Sequence, residues 1–269
     1  MVSVANNETI SKRLVDARLS AAPLTDFPGS VPKTLEQAYA IQAASIARWP
    51  DELAGWKVAG MSNADRERFS AQRLAGPVFR SSIRRTEPGS RTKAPVYEGG
   101  FAAIEAEIVL ELGTAVQPID RNYTDEELIE LVSAVYCGAE VASSPMAVVN
   151  ERGATSVIAD LGNNAGVLVG PEIPGWQSLP PNTLAVAVTV DDNLVGDAIV
   201  ESITGNPLQA LRFLIEHCAA HGIVLPAGTF ISSGALTGVH DVGIGSVTRI
   251  DYGTYGYIEA VFERIAGRL

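Results

Sequence analysis

A short run of alternating residues constrains the fold of this chain most strongly. From Ile104 to Leu112, apolar side chains occupy every second position and therefore share one face of an extended strand. Glu105 and Glu107 lie on the opposite face, about 6.6 Å apart along the strand. Two long carboxylates at this spacing can converge on one cation, although a solvated strand face would also carry such acids. The segment predicts a β-strand and leaves both interpretations open.

A third glutamate favours the cation. Glu140 is the only charged residue in the apolar run from Ala134 to Ala142, which is typical of a buried strand. An unpaired buried carboxylate is costly, and no basic residue lies nearby in the sequence. A divalent ion shared with Glu105 and Glu107 would satisfy all three acids. Because all the ligand atoms are oxygens, we expect Mg²⁺ or Mn²⁺ at this site.

Composition and charge exclude several classes of protein. With 20 Lys and Arg against 31 Asp and Glu, the 269-residue chain has a formal charge of −11, which repels nucleic acid and anionic lipid. We expect no nucleic-acid partner and no membrane partner. Cys137 and Cys218 are the only cysteines and lie in apolar or helical surroundings, as buried thiols in a reducing compartment do. His217 and His221 have helical i, i+4 spacing, but histidine is also common in the last turns of a helix, so they are weaker metal candidates. No stretch is apolar enough to span a membrane, and the N-terminus lacks the pattern of a signal peptide, so we expect a cytoplasmic protein.

The distribution of turn residues predicts a division of the chain near Gly76. Before it, helical periodicity dominates; after it, Pro and Gly separate short segments with period-two patterns. We expect a helical N-terminal segment, residues 1–75, packed on a β-rich metal-binding catalytic core, residues 76–269. The individual signals are helices at 8–19 and 34–49, a capping box at Thr124 and Glu127, a helix from Asn206 to Gly222, a hairpin at 184–200 and a strand pair at 248–262.

Lysine is scarce, and one of the four lies in an enclosed setting. Lys57 follows Gly55 and Trp56 and precedes Val58. An ammonium group there can bind a substrate carboxylate, or it can move protons if burial lowers its pKa. A strand lysine that extends its charged end to solvent is the alternative interpretation.

Taken together, four segments resemble a known family. The segments are Gly-Trp-Lys-Val at 55–58, Glu-Ala-Glu at 105–107, Glu140 in its apolar strand, and Ser-Ser-Gly-Ala-Leu-Thr-Gly at 232–238. From Leu53 onward, the chain resembles the 2-keto-4-pentenoate hydratase and 4-oxalocrotonate decarboxylase group of the fumarylacetoacetase superfamily. The resemblance implies an α+β fold, a mixed β-roll of the fumarylacetoacetase C-terminal type with outer helices, and assembly into homo-oligomers.

The resemblance also implies roles for individual residues. Glu105, Glu107 and Glu140 match the metal carboxylates of the family. Lys57 matches its active-site lysine, and Asp160 matches a catalytic acidic position after the third ligand. The substrate-binding Ser-Gly turn corresponds to Ser233 and Gly234.

Two positions depart from the pattern of that family. Ser143 stands where an aspartate is expected after Glu140, and Leu161 follows Asp160 where many members have asparagine. These departures leave the metal carboxylates intact and bear on the substrate.

The function implied is that of a metal-dependent lyase in the catabolism of aromatic compounds. We expect hydration of a 2-hydroxy-2,4-dienoate, with decarboxylation of a 2-oxo-enedioate as the alternative. Acylpyruvate hydrolysis is disfavoured because all three histidines follow Ile215, which leaves the first half of the chain without a histidine base. A non-catalytic protein that binds small acids is a further alternative, disfavoured by the retention of Lys57 and the three glutamates.

Overall fold

The computed structural model describes residues 4–267 and is a mixed α+β structure. Its helices are α1 (Val4–Ser20), α2 (Leu35–Arg48), α3 (Asn63–Phe69), α4 (Asp125–Leu131), α5 (Ala154–Ala159) and α6 (Asn206–His221). Its strands are β1 (Leu53–Gly60), β2 (Arg73–Phe79), β3 (Ile83–Arg85), β4 (Arg91–Val96), β5 (Phe101–Leu112), β6 (Val132–Ser144), β7 (Asn164–Glu172), β8 (Leu184–Val190), β9 (Asn193–Val200), β10 (Phe230–Ser232), β11 (His240–Asp241), β12 (Val247–Asp251) and β13 (Tyr257–Arg264).

Two mixed sheets contain all of these strands. The larger sheet has the order β2-β1-β10-β5-β6-β7-β3, with β11 also paired to β5, and the smaller sheet has the order β4-β13-β12-β8-β9. Most pairs are antiparallel, whereas β1 with β10, β3 with β7 and β4 with β13 are parallel. Parallel neighbours cannot be joined by a tight hairpin, so long connections return the chain to each of these pairs. The α+β class expected from the sequence is confirmed.

The main core lies between these elements and contains the apolar face of β5. Ile104, Ile108 and Leu110 are completely buried and belong to the same cluster as Ile258 and Phe262 of the smaller sheet. Burying such side chains contributes roughly 1.5–3 kcal/mol each. The alternation that predicted β5 therefore has its physical cause in this core, which fixes the direction in which Glu105 and Glu107 point.

Most local signals in the sequence correspond to elements of the structure. Thr124 and Glu127 form both halves of the capping box that begins α4. The helix α6 begins at Asn206, with Pro207 in its first turn, and ends at Gly222 in a left-handed conformation. The expected hairpin is β8 with β9, and the C-terminal strand pair is β12 with β13.

The first 75 residues contain more than helices. Helices α1 and α2 form the expected helical part, but β1 lies inside the larger sheet, hydrogen-bonded to β2 on one side and β10 on the other. A division of the chain at residue 75 stays a prediction. Among the described residues, no helix combines the length and apolar character needed to cross a bilayer.

Candidate active site

Strands β5 and β6 bring the three predicted glutamates together. In the antiparallel register, Glu105 lies directly opposite Glu140, and Glu107 lies opposite Gly138. One carboxylate oxygen of each glutamate lies within 4.8 Å of the others, and all three side chains are buried. Residues 105 and 140 are 35 positions apart in sequence, so the long pairing of β5 with β6 is what creates this cluster.

Neighbouring groups hold one oxygen of Glu107 and leave the other without a partner. Its Oε2 accepts hydrogen bonds from the Ser232 hydroxyl at 2.5 Å and from the Gly234 backbone amide at 2.9 Å. Gly234 has φ +108°, and a Cβ at this position would lie 3.1 Å from the Val58 carbonyl oxygen, so only glycine suits this close approach. The Oε1 atom of Glu107 is buried and has no hydrogen-bond partner among residues 4–267.

The side chain of Glu140 is oriented in a similar way. Its Oε1 accepts a hydrogen bond from Asn164 Nδ2 at 2.9 Å, and its Oε2 lies 3.3 Å from Lys57 Nζ. The three carboxylates thus form a buried set of hard oxygen ligands. In Glu107 and in Glu140, hydrogen bonds to one of the two carboxylate oxygens fix the side chain. Because a buried orphan oxygen and two adjacent acids are costly without a counter-charge, the residues fit a divalent cation.

Burial and mutual repulsion shift the pKa values of these acids. Burial, and then the Glu140 carboxylate, raise the pKa of Glu105 to about 7 even though Lys57 opposes the shift. The same two causes, with Glu105 added, raise the pKa of Glu107 well above its usual range. A concentrated negative charge in a dry environment is therefore the dominant electrostatic feature of the site.

Lys57 lies beside this cluster, in the position the sequence suggested. Strand β1 pairs with β10, so that Lys57 lies opposite Ser232, and the lysine side chain is buried. Burial acts to lower the pKa of Lys57, but Glu140, Glu105 and Glu107 outweigh it and the net shift is upward. The idea that burial lowers this pKa below its usual value is wrong, because the carboxylates stabilise the charged ammonium.

Asp160 lies in a different environment from the one its predicted catalytic role suggested. Its two carboxylate oxygens accept hydrogen bonds at 2.8 Å from Nε and Nη2 of Arg18, and both side chains are buried. The same guanidinium donates to the carbonyl oxygens of Ser143 and Asn164. Arg18 therefore connects α1 to the segment that contains Asn164, whose side chain donates a hydrogen bond to Glu140.

Ser233 and Gly234 are adjacent but have different hydrogen-bond partners. The Ser233 hydroxyl donates to the Ile108 carbonyl at 2.8 Å and is fully buried, whereas Gly234 donates its amide to Glu107. Ser143, where an aspartate was expected, is likewise held by backbone, since its hydroxyl donates to Phe101 O and accepts from Tyr97 N. These two serines stabilise strand and loop positions.

Sequence reasoning did not identify three residues that support the site. They are Arg18, Asn164 and Ser232. Ser232 lies in the segment 232–238 that carried the resemblance, but no role was expected for it, and a pair of adjacent asparagines, Asn163 and Asn164, precedes the apolar strand β7. Arg18 has no local pattern that would mark it.

A cavity of about 490 Å³ gives access to the site. Lys57 and Glu105 lie in its wall together with residues from several elements: Met61, Leu74, Phe101, Asn150, Val157, Asn163 and Val239. Among the described residues that line it, Lys57 is the only basic one. A small acid could enter here and meet the carboxylate cluster and the ammonium group together.

Comparisons with known proteins concern the chain and its fold as a whole. No protein-family model matches the chain. A 4-oxalocrotonate decarboxylase from Pseudomonas putida is 27% identical over 107 residues, which span 40% of this chain and 40% of that protein. The matched part of the relative is thus less than half of its length.

Solved structures extend the likeness to almost the whole fold. The 4-oxalocrotonate decarboxylase of Pseudomonas putida G7, solved with magnesium and adipate, superposes with a TM-score of 0.80 at 20% identity and covers 97% of this chain and 99% of its own. The fumarylpyruvate hydrolase of Pseudomonas aeruginosa, solved with Mn²⁺ and pyruvate, has a TM-score of 0.56 at 15% identity over 79% of this chain and 90% of its own. The expected mixed β-roll is confirmed, and so is the resemblance to the 2-keto-4-pentenoate hydratase and 4-oxalocrotonate decarboxylase group of the fumarylacetoacetase superfamily.

Proposed function

We propose that the chain is a divalent-metal-dependent lyase that acts on a small 2-oxo or 2-hydroxy acid derived from aromatic compounds. The observation that carries this proposal is the cluster of Glu105, Glu107 and Glu140 beside Lys57 at the wall of a cavity. Hard carboxylate ligands suit Mg²⁺ or Mn²⁺. The magnesium, calcium and manganese complexes of the structural neighbours support the same choice.

The residues of the site have complementary roles in this proposal. A bound divalent cation supplies positive charge for the substrate carboxylate and for the negative charge that develops on its 2-oxo oxygen. Lys57 presents a second positive charge on the same side of the cavity and binds the carboxylate or delivers a proton. Ser232, Gly234 and Asn164 fix the glutamate side chains, so that the ligand oxygens need little rearrangement.

Hydration is the reaction that we propose first. A 2-hydroxypenta-2,4-dienoate that ketonises and conjugates has a double bond between C3 and C4, and water adds at C4 to give 4-hydroxy-2-oxopentanoate. The cavity beside Lys57 suits such a monoacid, because its remaining lining consists of apolar or uncharged side chains and the acids Asp65 and Glu105. Asp160 and Ser233, expected from the resemblance to be catalytic and substrate-binding residues, support the structure in this scheme. Asp160 holds the guanidinium of Arg18, and the Ser233 hydroxyl donates to the Ile108 carbonyl oxygen.

Decarboxylation of a 2-oxo-enedioate is the second candidate, and a specific observation favours it. A wide groove beyond Gly60 and Ala235, which also line the cavity, contains Arg66 and Arg73. The Arg73 guanidinium donates a hydrogen bond to the side-chain oxygen of Asn206, and its Nη1 would lie 4.0 Å from a Cβ on Gly234. Burial, and then the positive charge of Arg66, lower the pKa of Arg73. A second carboxylate could bind there.

One pair of assays separates the two reactions. The Mg²⁺-loaded protein is incubated with 2-hydroxypenta-2,4-dienoate and with 2-oxohex-3-enedioate, and products are followed by mass spectrometry. Hydration predicts a product one water heavier than the dienoate. Loss of CO₂ from the diacid without water addition to the dienoate would instead establish decarboxylation, and Arg73→Gln should then raise the KM for the diacid alone.

Assembly and location remain proposals as well. We propose a cytoplasmic homo-oligomer on the family resemblance. Size-exclusion chromatography with light scattering on the purified chain tests the assembly, and a monomer at micromolar concentration would contradict it.

A further inference from the structure

The loop between α5 and β7 has an unusual backbone. Leu161, Gly162 and Asn163 have φ values of +56°, +72° and +59°, so three consecutive residues are left-handed. Leucine in particular is rare in this conformation, and such residues concentrate at functional sites. At Gly162, a Cβ would lie 2.7 Å from the Gly76 Cα, so the loop fits directly against β2 without room for a side chain.

Both ends of this loop are fixed to the site already described. At its start, Asp160 is held by the buried guanidinium of Arg18, and at its end Asn164 donates to Glu140. Between them, Gly162 packs beside the Lys57 side chain, since its Cβ position is 3.4 Å from Lys57 Cδ.

The side chain of Asn163 lies in the wall of the cavity with an unsatisfied acceptor. Asn163 is 4% exposed and lines the cavity together with Lys57 and Glu105. Its Oδ1 atom is buried and has no hydrogen-bond partner among the described residues. A buried acceptor without a donor is costly, and a native site that retains one needs an explanation. A cation explains the orphan oxygen of Glu107, but Asn163 is a neutral amide outside that cluster.

We infer that Asn163 is a substrate-contacting residue whose amide oxygen accepts a hydrogen bond from an O–H group in the cavity. This inference rests on the proposed function. The donor is the hydroxyl of a bound hydroxy acid or the water that reacts with it, because both present O–H to a neutral acceptor. An amide is not basic enough to remove the proton, so Asn163 orients the O–H group and selects for acids that carry one.

Two acids, namely the hydration product and its analogue without the hydroxyl group, and three variants test this role. Titration calorimetry on the Mg²⁺-loaded protein gives the Kd of 4-hydroxy-2-oxopentanoate and of 2-oxopentanoate, which differ by one hydroxyl. Asn163→Gly removes the amide without opposing the left-handed backbone, whereas Asn163→Asp keeps an acceptor oxygen. Asn182→Gly is the matched control, because Asn182 is an exposed asparagine with φ +60°.

The expected result is a preference for the hydroxylated acid of about tenfold in the unmodified protein and in Asn182→Gly. Asn163→Gly should lose this preference while Mg²⁺ affinity stays unchanged, and Asn163→Asp should retain it. If the partner is water, the two acids bind alike in every variant, and only Asn163→Gly lowers kcat, by about tenfold.

Two other outcomes have separate meanings. Unchanged kcat and unchanged ligand preference in Asn163→Gly, with an unmodified protein that binds and converts its substrate, would overturn the inference alone. An unmodified protein that neither binds these acids nor converts either candidate substrate would overturn the proposed function.

Discussion

Arg18 and Asp160 form a bidentate ion pair in the interior, with Nε and Nη2 of the arginine each 2.8 Å from a carboxylate oxygen. Almost no surface of either side chain is accessible to water. The guanidinium also donates hydrogen bonds to backbone carbonyl oxygens of β6 and β7. The pair therefore holds an N-terminal helix against the loop that supports the metal ligands.

Removing one member of this pair should be strongly destabilising. Asp160→Asn leaves the guanidinium buried without its counter-charge, and we expect a loss of about 3–5 kcal/mol in the free energy of unfolding, measured by urea titration at pH 7. Arg152 and Asp26 provide a matched control, with the same bidentate geometry at 2.7 Å on an exposed surface. Arg152→Met should cost less than about 1 kcal/mol. Equal effects at the two sites would contradict this account.

Mg²⁺ or Mn²⁺ should bind one site per chain and stabilise the folded state. At a free concentration 100 times the Kd, the gain is about 2.7 kcal/mol, visible as a higher Tm that a chelator reverses. Glu107→Gln should abolish this response, because it removes one ligand charge from the cluster. Glu111 lies on the same strand but accepts a hydrogen bond from the Tyr136 hydroxyl, so Glu111→Gln should preserve the stabilisation by metal. Undiminished metal binding by calorimetry in Glu107→Gln would falsify the assignment of the triad.

Replacing Lys57 should separate catalysis from folding. Lys57→Met keeps most of the length of the buried side chain but removes the ammonium, so we expect metal binding to persist while kcat/KM falls by roughly 100-fold. Lys93→Met removes an exposed lysine that pairs with Glu263 and should leave kcat/KM unchanged. Near-normal kcat/KM in Lys57→Met would show that this lysine has only a structural role.

In mild acid the protein should lose a stabilising contribution of His217, whereas Glu105 and Glu107, whose pKa values are raised, change stability in the opposite direction. Burial, and then the neighbouring His221, lower the pKa of His217 to about 4, from a usual value of about 6.5. His217 therefore binds a proton more readily in the unfolded chain than in the folded one. Its contribution to the free energy of unfolding is complete above about pH 6.5 and is lost as the pH falls towards 4. The difference corresponds to about 3 kcal/mol.

Urea unfolding between pH 4 and 7 measures this contribution. His217→Gln should remove this contribution, so that the difference in the free energy of unfolding between the variant and the unmodified protein changes over that interval. A slope that is identical in His217→Gln and the unmodified protein would show that other groups are responsible.

The cluster of three glutamates could be predicted from the sequence because each was out of place in its surroundings. Glu105 and Glu107 interrupt an apolar strand at period two, and Glu140 is a lone charge in a buried run, so burial itself was the signal. The hairpin, the capping box and the helix after Asn206 followed from local turn chemistry in the same way. What these features share is that neighbours in sequence decide them.

The supporting residues could not be found by the same reasoning. Ser232 contacts Glu107 from 125 positions away, and Arg18 contacts Asp160 from 142 positions away, so only the sheet order brings them together. Serine, asparagine and arginine are also common at surfaces, and nothing in their neighbours marks these three as buried. Asp160 was recognised as important, but its partner, and with it the nature of its role, depends on α1.

The separation of Arg18 from Asp160 also sets an order of events during synthesis. The ribosome completes α1 at Ser20 and makes a further 140 residues before it has added Asp160, the partner of Arg18, and Ser232 follows later still. By then β5 and β6 have also been synthesised. A nascent chain that stops before β10 holds all three glutamates and still lacks the donors that orient Glu107. The contacts that orient Glu107 are thus completed only after β10 has been synthesised.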